Sequence, residues 1–378
     1  MFENLSYLVL QQYWYVIVSL LGSILVFLMF VQGGQTFIYT IGKTDTERTM
    51  IVNTLGRKWE FTFTTLVTFG GAFFASFPLF YATSFGGAYW VWMIILFAFV
   101  IQAVSYEFRS RASNFLGKKT YDAFLFTNGL LGTVLIGIAV ATFFSGSAFS
   151  LNEYNSVTWE NSTRGLEAAL NPFNLALGFT VFFLARVLGL LYFMNTIDHG
   201  AILVRTKKQL LINAIPFLVF FLTFAIWLML RDGYAVDPLT GTVSLEAFKY
   251  LHNMVQMPLV LIMFLTGVLC VLGGIGWSLM RTTSNGIWFT GSGTILVVLS
   301  LFFLAGFNNT AFYPSSFDLQ SSLTIQNSSS SRYTLEAMSY VSLGVPLVIA
   351  YIAYAWRAIN NKKIDEAEVT GGGDTHVY

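Results

Sequence analysis

Apolar residues in this chain do not alternate with polar ones. They run on for about twenty positions or more and then break at short polar clusters. The runs lie near 14–42, 59–80, 86–106, 122–145, 172–196, 208–230, 255–280, 287–310 and 334–357. A bilayer's hydrocarbon core takes about 20 apolar residues in helical form. Backbone groups at that depth find no water and must bond within their own segment. The pattern therefore predicts an all-α integral membrane protein with nine transmembrane helices.

Composition removes the alternatives. Charged residues are 10% of 378, hydrophobic residues 55%, and mean hydropathy is +0.66; soluble domains carry about a quarter charged residues. A net charge of +1 gives no nucleic-acid signal. The single cysteine, Cys270, lies in an apolar run, so neither an internal disulfide nor a thiolate metal cluster is expected. Glu3, with no Lys or Arg, precedes the first run. A secretory leader needs a positive start, so this reads as a retained first span.

Fifteen of the twenty Lys and Arg residues share one side of the predicted membrane: Lys43, Arg48, Arg57 and Lys58, then Arg109, Arg111, Lys118 and Lys119, then Arg205, Lys207 and Lys208, then Arg281, and finally Arg357, Lys362 and Lys363. The other side has Arg164, Arg231, Lys249 and Arg332. Cytoplasmic loops carry the excess of basic residues. The N-terminus is thus expected outside and the C-terminus in the cytoplasm. Residues 1–357 read as one nine-span domain and 358–378 as a cytoplasmic tail, expected to be disordered. The long connections 146–171, 231–254 and 311–333 all fall on the outer side. Paired glycines such as Gly33 with Gly34 and Gly273 with Gly274 suit close helix packing.

The few polar residues inside the spans must carry the chemistry. Gln32 and Gln35 lie one turn apart on one helix face, in the inner half of the first span. Trp59 and Glu60 open the second span at its cytoplasmic end; Gln102 and Glu107 close the third at the same end. Three consecutive helices thus bring polar groups to the inner leaflet. Burial moves carboxyl titration toward neutrality, which a proton relay requires. The competing reading makes Glu60 and Glu107 interfacial carboxylates paired with Lys58 and Arg109. Arg186 is different, being central in its span with no acidic residue within a turn. A cation at the bilayer centre costs about 2.5–3.5 kcal/mol on insertion scales. The competing reading is snorkelling, which so central a position disfavours; the partner of Arg186 is expected on another helix, on a lipid or quinone head group, or on another chain. The three histidines, His199, His252 and His376, fall outside the span interiors, where haem bundles need axial ligands. No haem of its own is expected.

The order of these features resembles subunit II of the cytochrome bd quinol oxidases. The resemblance rests on Asp45-Thr46-Glu47-Arg48, Trp59-Glu60, Gly70-Gly71-Ala72, Glu107-Phe108-Arg109-Ser110, Asn171-Pro172-Phe173, Pro314-Ser315-Ser316 and Ser321-Ser322-Leu323-Thr324, in family order from about 14 to 357. It implies a haem-free subunit in a bacterial cytoplasmic membrane, paired with a homologous subunit I that holds haem b and haem d. That complex oxidises quinol on the outer side and reduces O2 to water, with protons drawn from the cytoplasm. Subunit II is then expected to supply an acidic half-channel through the positions of Glu60 and Glu107, where the family usually has Asp. The resemblance leaves room for a bound quinone, membrane lipid and a small accessory subunit.

Three departures stand out. The first span reads Gln32-Gly33-Gly34-Gln35 where the family commonly has acidic residues, and glutamine cannot store a proton. Gln102 stands where the family often has a basic residue, and Arg186 has no counterpart. Two other classes compete with this reading. A proton-coupled transporter would show repeated interrupted helices near the midplane, but no repeat is seen, and Pro216 and Pro258 sit in the first turns of their predicted spans. A scaffold subunit would use the polar groups for helix contacts alone.

The orientation is directly testable. Reporters fused at Lys118 and Lys363 should score cytoplasmic, and those at Asn155 and Ser329 external. A cytoplasmic score at Asn155 would overturn it.

Overall fold

The computed structural model describes residues 2–111, 113–281 and 285–370. Its helices are α1 (Tyr7–Leu28), α2 (Phe30–Gln35), α3 (Ile38–Ile41), α4 (Asp45–Gly56), α5 (Trp59–Ser76), α6 (Pro78–Tyr81), α7 (Tyr89–Phe108), α8 (Lys118–Ser145), α9 (Pro172–Thr196), α10 (Gly200–Leu230), α11 (Lys249–Gln256), α12 (Pro258–Met280), α13 (Gly286–Gly306), α14 (Ile325–Ser328), α15 (Arg332–Ser342), α16 (Val345–Ile359) and α17 (Glu366–Thr370). Eight helical stretches among the described residues are long and apolar enough to cross a membrane, counting α1 with α2 and α15 with α16. The 18-residue α5 is the ninth; Thr62, Thr64, Thr65 and Thr68 lower its hydropathy.

Boundaries shift where local chemistry differs from hydropathy. The first span begins at Tyr7, earlier than predicted, because Ser6 accepts a hydrogen bond from the Val9 amide and caps the helix. Pro258 opens α12, as expected. Pro216 does not open α10: the helix starts at Gly200, capped by His199, which puts this proline in the interior. It removes one backbone bond there.

The first span is broken rather than continuous. Its helix interrupts at Met29 and again at Thr36–Phe37. The Leu28 carbonyl accepts a hydrogen bond from Thr62 Oγ1 of α5 at 2.9 Å, a side-chain rescue of the kind that lets membrane helices break. The short α2 is wedged between α8 and α9 at near backbone contact. A Cβ on Gly33 would lie 2.0 Å from the Ala185 carbonyl, and one on Gly129 would lie 2.4 Å from the Gln32 carbonyl oxygen.

The two ends of the bundle differ. At one end the hairpin of β1 (Phe149–Leu151) with β2 (Val157–Trp159), the hairpin of β3 (Gly233–Val236) with β4 (Val243–Glu246), and the segment 310–323 join into a cap. Single bridges connect them, Ser147 to Ser315, Ala235 to Thr310 and Tyr313 to Leu323. Buried Tyr313 stacks on Phe149 and meets Phe80 and Phe143 edge-on. The long connections are therefore packed structure, not solvated linkers.

The other end carries the Lys/Arg-rich loops. Thr44 and Glu47 form a capping box at the start of α4, and the Glu47 carboxylate also accepts two hydrogen bonds from Arg205, at 2.6 and 2.9 Å. The Arg205 guanidinium, helped by the Lys43 and Thr44 amides, holds its carboxyl down at about 2. The expected tail is partly docked at this end. Ile364 is buried, exchanges backbone hydrogen bonds with Thr196 and Asp198, and leads into α17, whose Glu368 pairs with Arg57. Gly371, Gly372 and Gly373 of that tail lie outside the described residues.

Candidate functional site

Helix breakage places the first span's polar residues. Because α2 is pressed between α8 and α9, its two glutamines turn toward α7 rather than lipid. Both are fully buried. Gln32 Nε2 donates to Gln102 Oε1 at 3.3 Å, and Gln35 Nε2 donates to the Tyr106 hydroxyl at 2.9 Å. Gln102 and Tyr106 are four residues apart on α7, one turn, so two hydrogen-bonded rungs cross between the helices. Trp59 stacks on the Tyr106 ring at 5.8 Å with planes 12° apart. Gln32 Oε1, Gln35 Oε1, Gln102 Nε2 and Trp59 Nε1 are buried with no protein hydrogen-bond partner. Asn128 of α8, one residue before Gly129, is also buried with both side-chain polar atoms unpartnered.

The seam thus unites Gln32, Gln35, Gln102 and Trp59. Glu60 and Glu107 do not enter it. Glu60 is exposed and lines a groove of about 600 Å³ with Arg57, Phe61, Thr64, Thr65, Ile352 and Ile359. Glu107 is exposed too, and pairs with Arg111 one turn on. The expected alternative partners are engaged elsewhere. Lys58 is fully buried, its Nζ 4.7 Å from the Trp356 ring centre and 5.7 Å from Phe61; aromatic faces attract a cation that has left water.

Arg109 is the residue whose role the sequence hid. It is 1% exposed and its Nε donates to Asp122 Oδ1 at 2.6 Å; Asp122, 2% exposed, also accepts from the Tyr39 hydroxyl at 3.0 Å. This pair ties α7, α8 and α3 together beneath the seam. From sequence Arg109 reads as one of the basic loop charges and as a partner for Glu107; its pairing with Asp122 arises only in the folded chain. Tyr106 left a clearer signal, its position one turn after Gln102.

Arg186 of α9 lies beside the same break. Its guanidinium carbon sits 4.2 Å from the Phe37 ring centre and 5.3 Å from that of Phe182, and Nε is buried without a hydrogen-bond partner. No carboxylate approaches it among the described residues. The two described histidines are engaged locally. His199 accepts from the Ile202 amide at the start of α10, and His252 pairs with Glu246 in the capped end.

The sequence model described as "Cytochrome bd terminal oxidase subunit II" matches residues 10–359. A probable cytochrome oxidase subunit 2 of Haemophilus influenzae is 28% identical over 354 residues, 90% of this chain and 91% of that protein. Cytochrome bd-I ubiquinol oxidase subunit 2 of Escherichia coli K12 is 28% identical over 367 residues, 93% and 94% of the two chains. The cytochrome bd ubiquinol oxidase subunit 2 of Bacillus subtilis is 26% identical over 313 residues. Among solved structures, a chain of the bd oxidase from Geobacillus thermodenitrificans has a TM-score of 0.57 at 12% identity, covering 93% of this chain and 98% of its own. That last likeness is one of fold.

The buried Arg109–Asp122 pair predicts an asymmetric response. Asp122→Asn leaves a buried guanidinium without its counter-charge, which costs about 3–5 kcal/mol, and should lower the yield and melting temperature of the purified protein. Arg109→Met combined with Asp122→Leu should recover much of that loss. Equal damage in the single and double variants would show that the charges themselves are required.

Proposed function

The chain belongs to the cytochrome bd terminal oxidase subunit II family, and from that premise we propose that it serves as the haem-free half of a quinol:oxygen oxidoreductase. It is a multi-pass membrane subunit of a bd-type oxidase. Its partner is a subunit I, to which we assign haem b and haem d, quinol oxidation and the reduction of O2 to water. We place the N-terminus outside and the C-terminus in the cytoplasm, from the distribution of Lys and Arg. The family match, which runs through nearly all of the spans, favours an oxidase subunit over a transporter.

Within that complex we assign this chain a proton half-channel from the cytoplasm toward subunit I. The observation that carries it is the pair of buried rungs, Gln32 with Gln102 and Gln35 with Tyr106, with Trp59 beside them and polar atoms left over. Buried polar atoms without protein partners are served by ordered water. A string of such waters held by amide and hydroxyl groups passes protons by exchanging hydrogen bonds. Neither glutamine stores a proton, so the storage sites are carboxylates, Glu60 and Glu107, at the rim. Their exposure on the isolated subunit suits groups that meet either cytoplasmic water or subunit I.

The assay is quinol-driven oxygen consumption, with haem content as the check on assembly. Glu60→Gln with Glu107→Gln should slow turnover at least tenfold, a barrier increase of about 1.4 kcal/mol. Glu107→Asp should be tolerated, and Gln32→Leu or Gln35→Leu should be milder. Full rates in the double Gln variant at normal haem content would assign proton entry to subunit I.

Arg186 we assign to an anionic or carbonyl group of a lipid or quinone, or to contact with subunit I. What supports this is a half-buried cation held by two aromatic faces and no carboxylate. Arg186→Leu should reduce the yield of intact complex or its bound quinone or lipid at least severalfold, read by mass spectrometry of the purified oxidase. Unchanged assembly and lipid content would leave it a packing residue.

A further inference from the structure

The deeper of the two rungs, Gln32 with Gln102, lies beside a third amide that belongs to neither rung. Asn128 of α8 is fully buried, and neither its Oδ1 nor its Nδ2 has a protein hydrogen-bond partner. Helix register fixes its level. Arg109 of α7 pairs with Asp122 of α8. Ten residues farther into the bundle on each helix, Phe99 meets Gly132, where a Cβ would lie 3.4 Å from the ring. That antiparallel register sets Gln102 opposite Gly129, the residue after Asn128. From the other side the Gln32 carbonyl oxygen approaches the same Gly129, 2.4 Å from where a Cβ would stand. Three amides therefore share one depth.

Their unused atoms are complementary. Gln102 Nε2 and Asn128 Nδ2 are donors, and Gln32 Oε1 and Asn128 Oδ1 are acceptors. A water accepts two hydrogen bonds and donates two, and a buried water is held by about three such partners. There is also room for one. A Cβ would collide at 2.0 Å on Gly33 and at 2.4 Å on Gly129. On Gly132 the nearest atoms beyond its own helix backbone lie at 3.4 Å, and they are Asn128 Nδ2 and a carbon of the Phe99 ring. Gly132 thus fronts a methyl-sized space with one polar and one aromatic wall. Packing does not demand glycine there, and glycine is a poorer helix former than alanine. The Thr133 hydroxyl is already committed to the Gly129 carbonyl at 2.7 Å. Among the described residues, Asn128 and Gln102 are the innermost buried polar side chains of α8 and α7 left without a partner.

We propose that Gln32, Gln102 and Asn128 hold one ordered water in a space that Gly132 keeps open, and that this water is the deepest station of the proton path in this chain. Its place in the path rests on the half-channel reading. A proton arriving from the cytoplasmic side binds the water oxygen, and one of the water's own protons leaves on the far side. The amides keep their own protons and no charge is left behind. Asn128 is a positioning residue, which orients the oxygen and does not take up the proton itself. Gly132 contributes by having no side chain.

The test uses the intact oxidase with this subunit carrying Asn128→Leu, Gly132→Ala or both, with haem content and melting temperature measured throughout. Leucine is close to asparagine in size and lacks its polar atoms; alanine fills the space and removes none. Each single variant should slow quinol-driven oxygen consumption about threefold or more, with the KM for quinol unmoved and a larger solvent deuterium isotope effect. The double variant should be no slower than the slower single one, because both changes remove the same water. Gly132→Ala should keep its haem and melt no lower than the parent, since alanine is the better helix former. The water itself is read in a water-resolved electron cryo-microscopy map of the parent oxidase. It should lie within hydrogen-bonding distance of Asn128 and of at least one of the two glutamines, and vanish in Gly132→Ala. A parent map that shows other buried waters and none here would refute the site. A water present in the parent, with full turnover in both Asn128→Leu and Gly132→Ala, would refute its place in the proton path. Full turnover in Glu60→Gln with Glu107→Gln, beside slow turnover in Gly132→Ala, would move proton entry away from those carboxylates and leave the water site standing.

Discussion

Three backbones meet where two of them would ordinarily be kept apart by side chains. Gly33 of α2 touches the Ala185 carbonyl of α9, Gly129 of α8 touches the Gln32 carbonyl, and a Cβ on Gly189 would lie 2.6 Å from the Gly34 amide nitrogen. In hydrocarbon there is little hydrophobic force between helices, so such close approach through small residues supplies the packing. Everything at the polar seam depends on it. A methyl group at Gly33 or Gly129 would push α2 off this seat and disturb the geometry of the Gln32–Gln102 and Gln35–Tyr106 bonds. The broken first span is what lets a six-residue helix fit this wedge. Its freed carbonyl is recovered by Thr62 from a different helix.

Charge at the basic end and beside the broken first span is handled in three ways, and each suggests a different use. Arg109 with Asp122, and Arg205 with Glu47, are paired carboxylates and guanidiniums that bind segments together. Such pairs specify an arrangement more than they stabilise it, since desolvation offsets much of the attraction. Lys58 and Arg186 are instead set against aromatic rings and leave donors unused. Glu60 and Glu107 stay at the surface. In the half-channel we propose, storage of a mobile proton is assigned to the third group, because a carboxylate committed to a buried arginine is held by the fold.

The two ends of the bundle are closed by different means. The capped end uses hairpins, single bridges and the stacked rings around Tyr313. The basic end uses ion pairs and a returning chain terminus. Only the second arrangement puts titratable groups beside the start of α5. The terminus returns just after Trp356, which meets four rings from other elements near the point where the chain reverses.

Hydropathy alone determined the helical class, the number of spans and the grouping of basic residues, because a bilayer imposes length and internal hydrogen bonding on every segment that enters it. Motif order was enough to identify the family before any contact was known. The glutamines and Trp59 were legible as well, being rare polar residues at one depth. Depth along a helix, however, says nothing about azimuth. Glu60 and Glu107 share the seam's depth and point elsewhere, and only packing decides which face each presents. Long-range pairing was equally invisible. Arg57 meets Glu368 and Arg205 meets Glu47 across 311 and 158 residues, contacts with no periodicity to announce them. The interior position of Pro216 and the docked segment around Ile364 escaped for a related reason: hydropathy measures fitness for lipid, whereas helix extension past the membrane and backbone pairing of a polar tail are settled by hydrogen bonds formed in the folded chain.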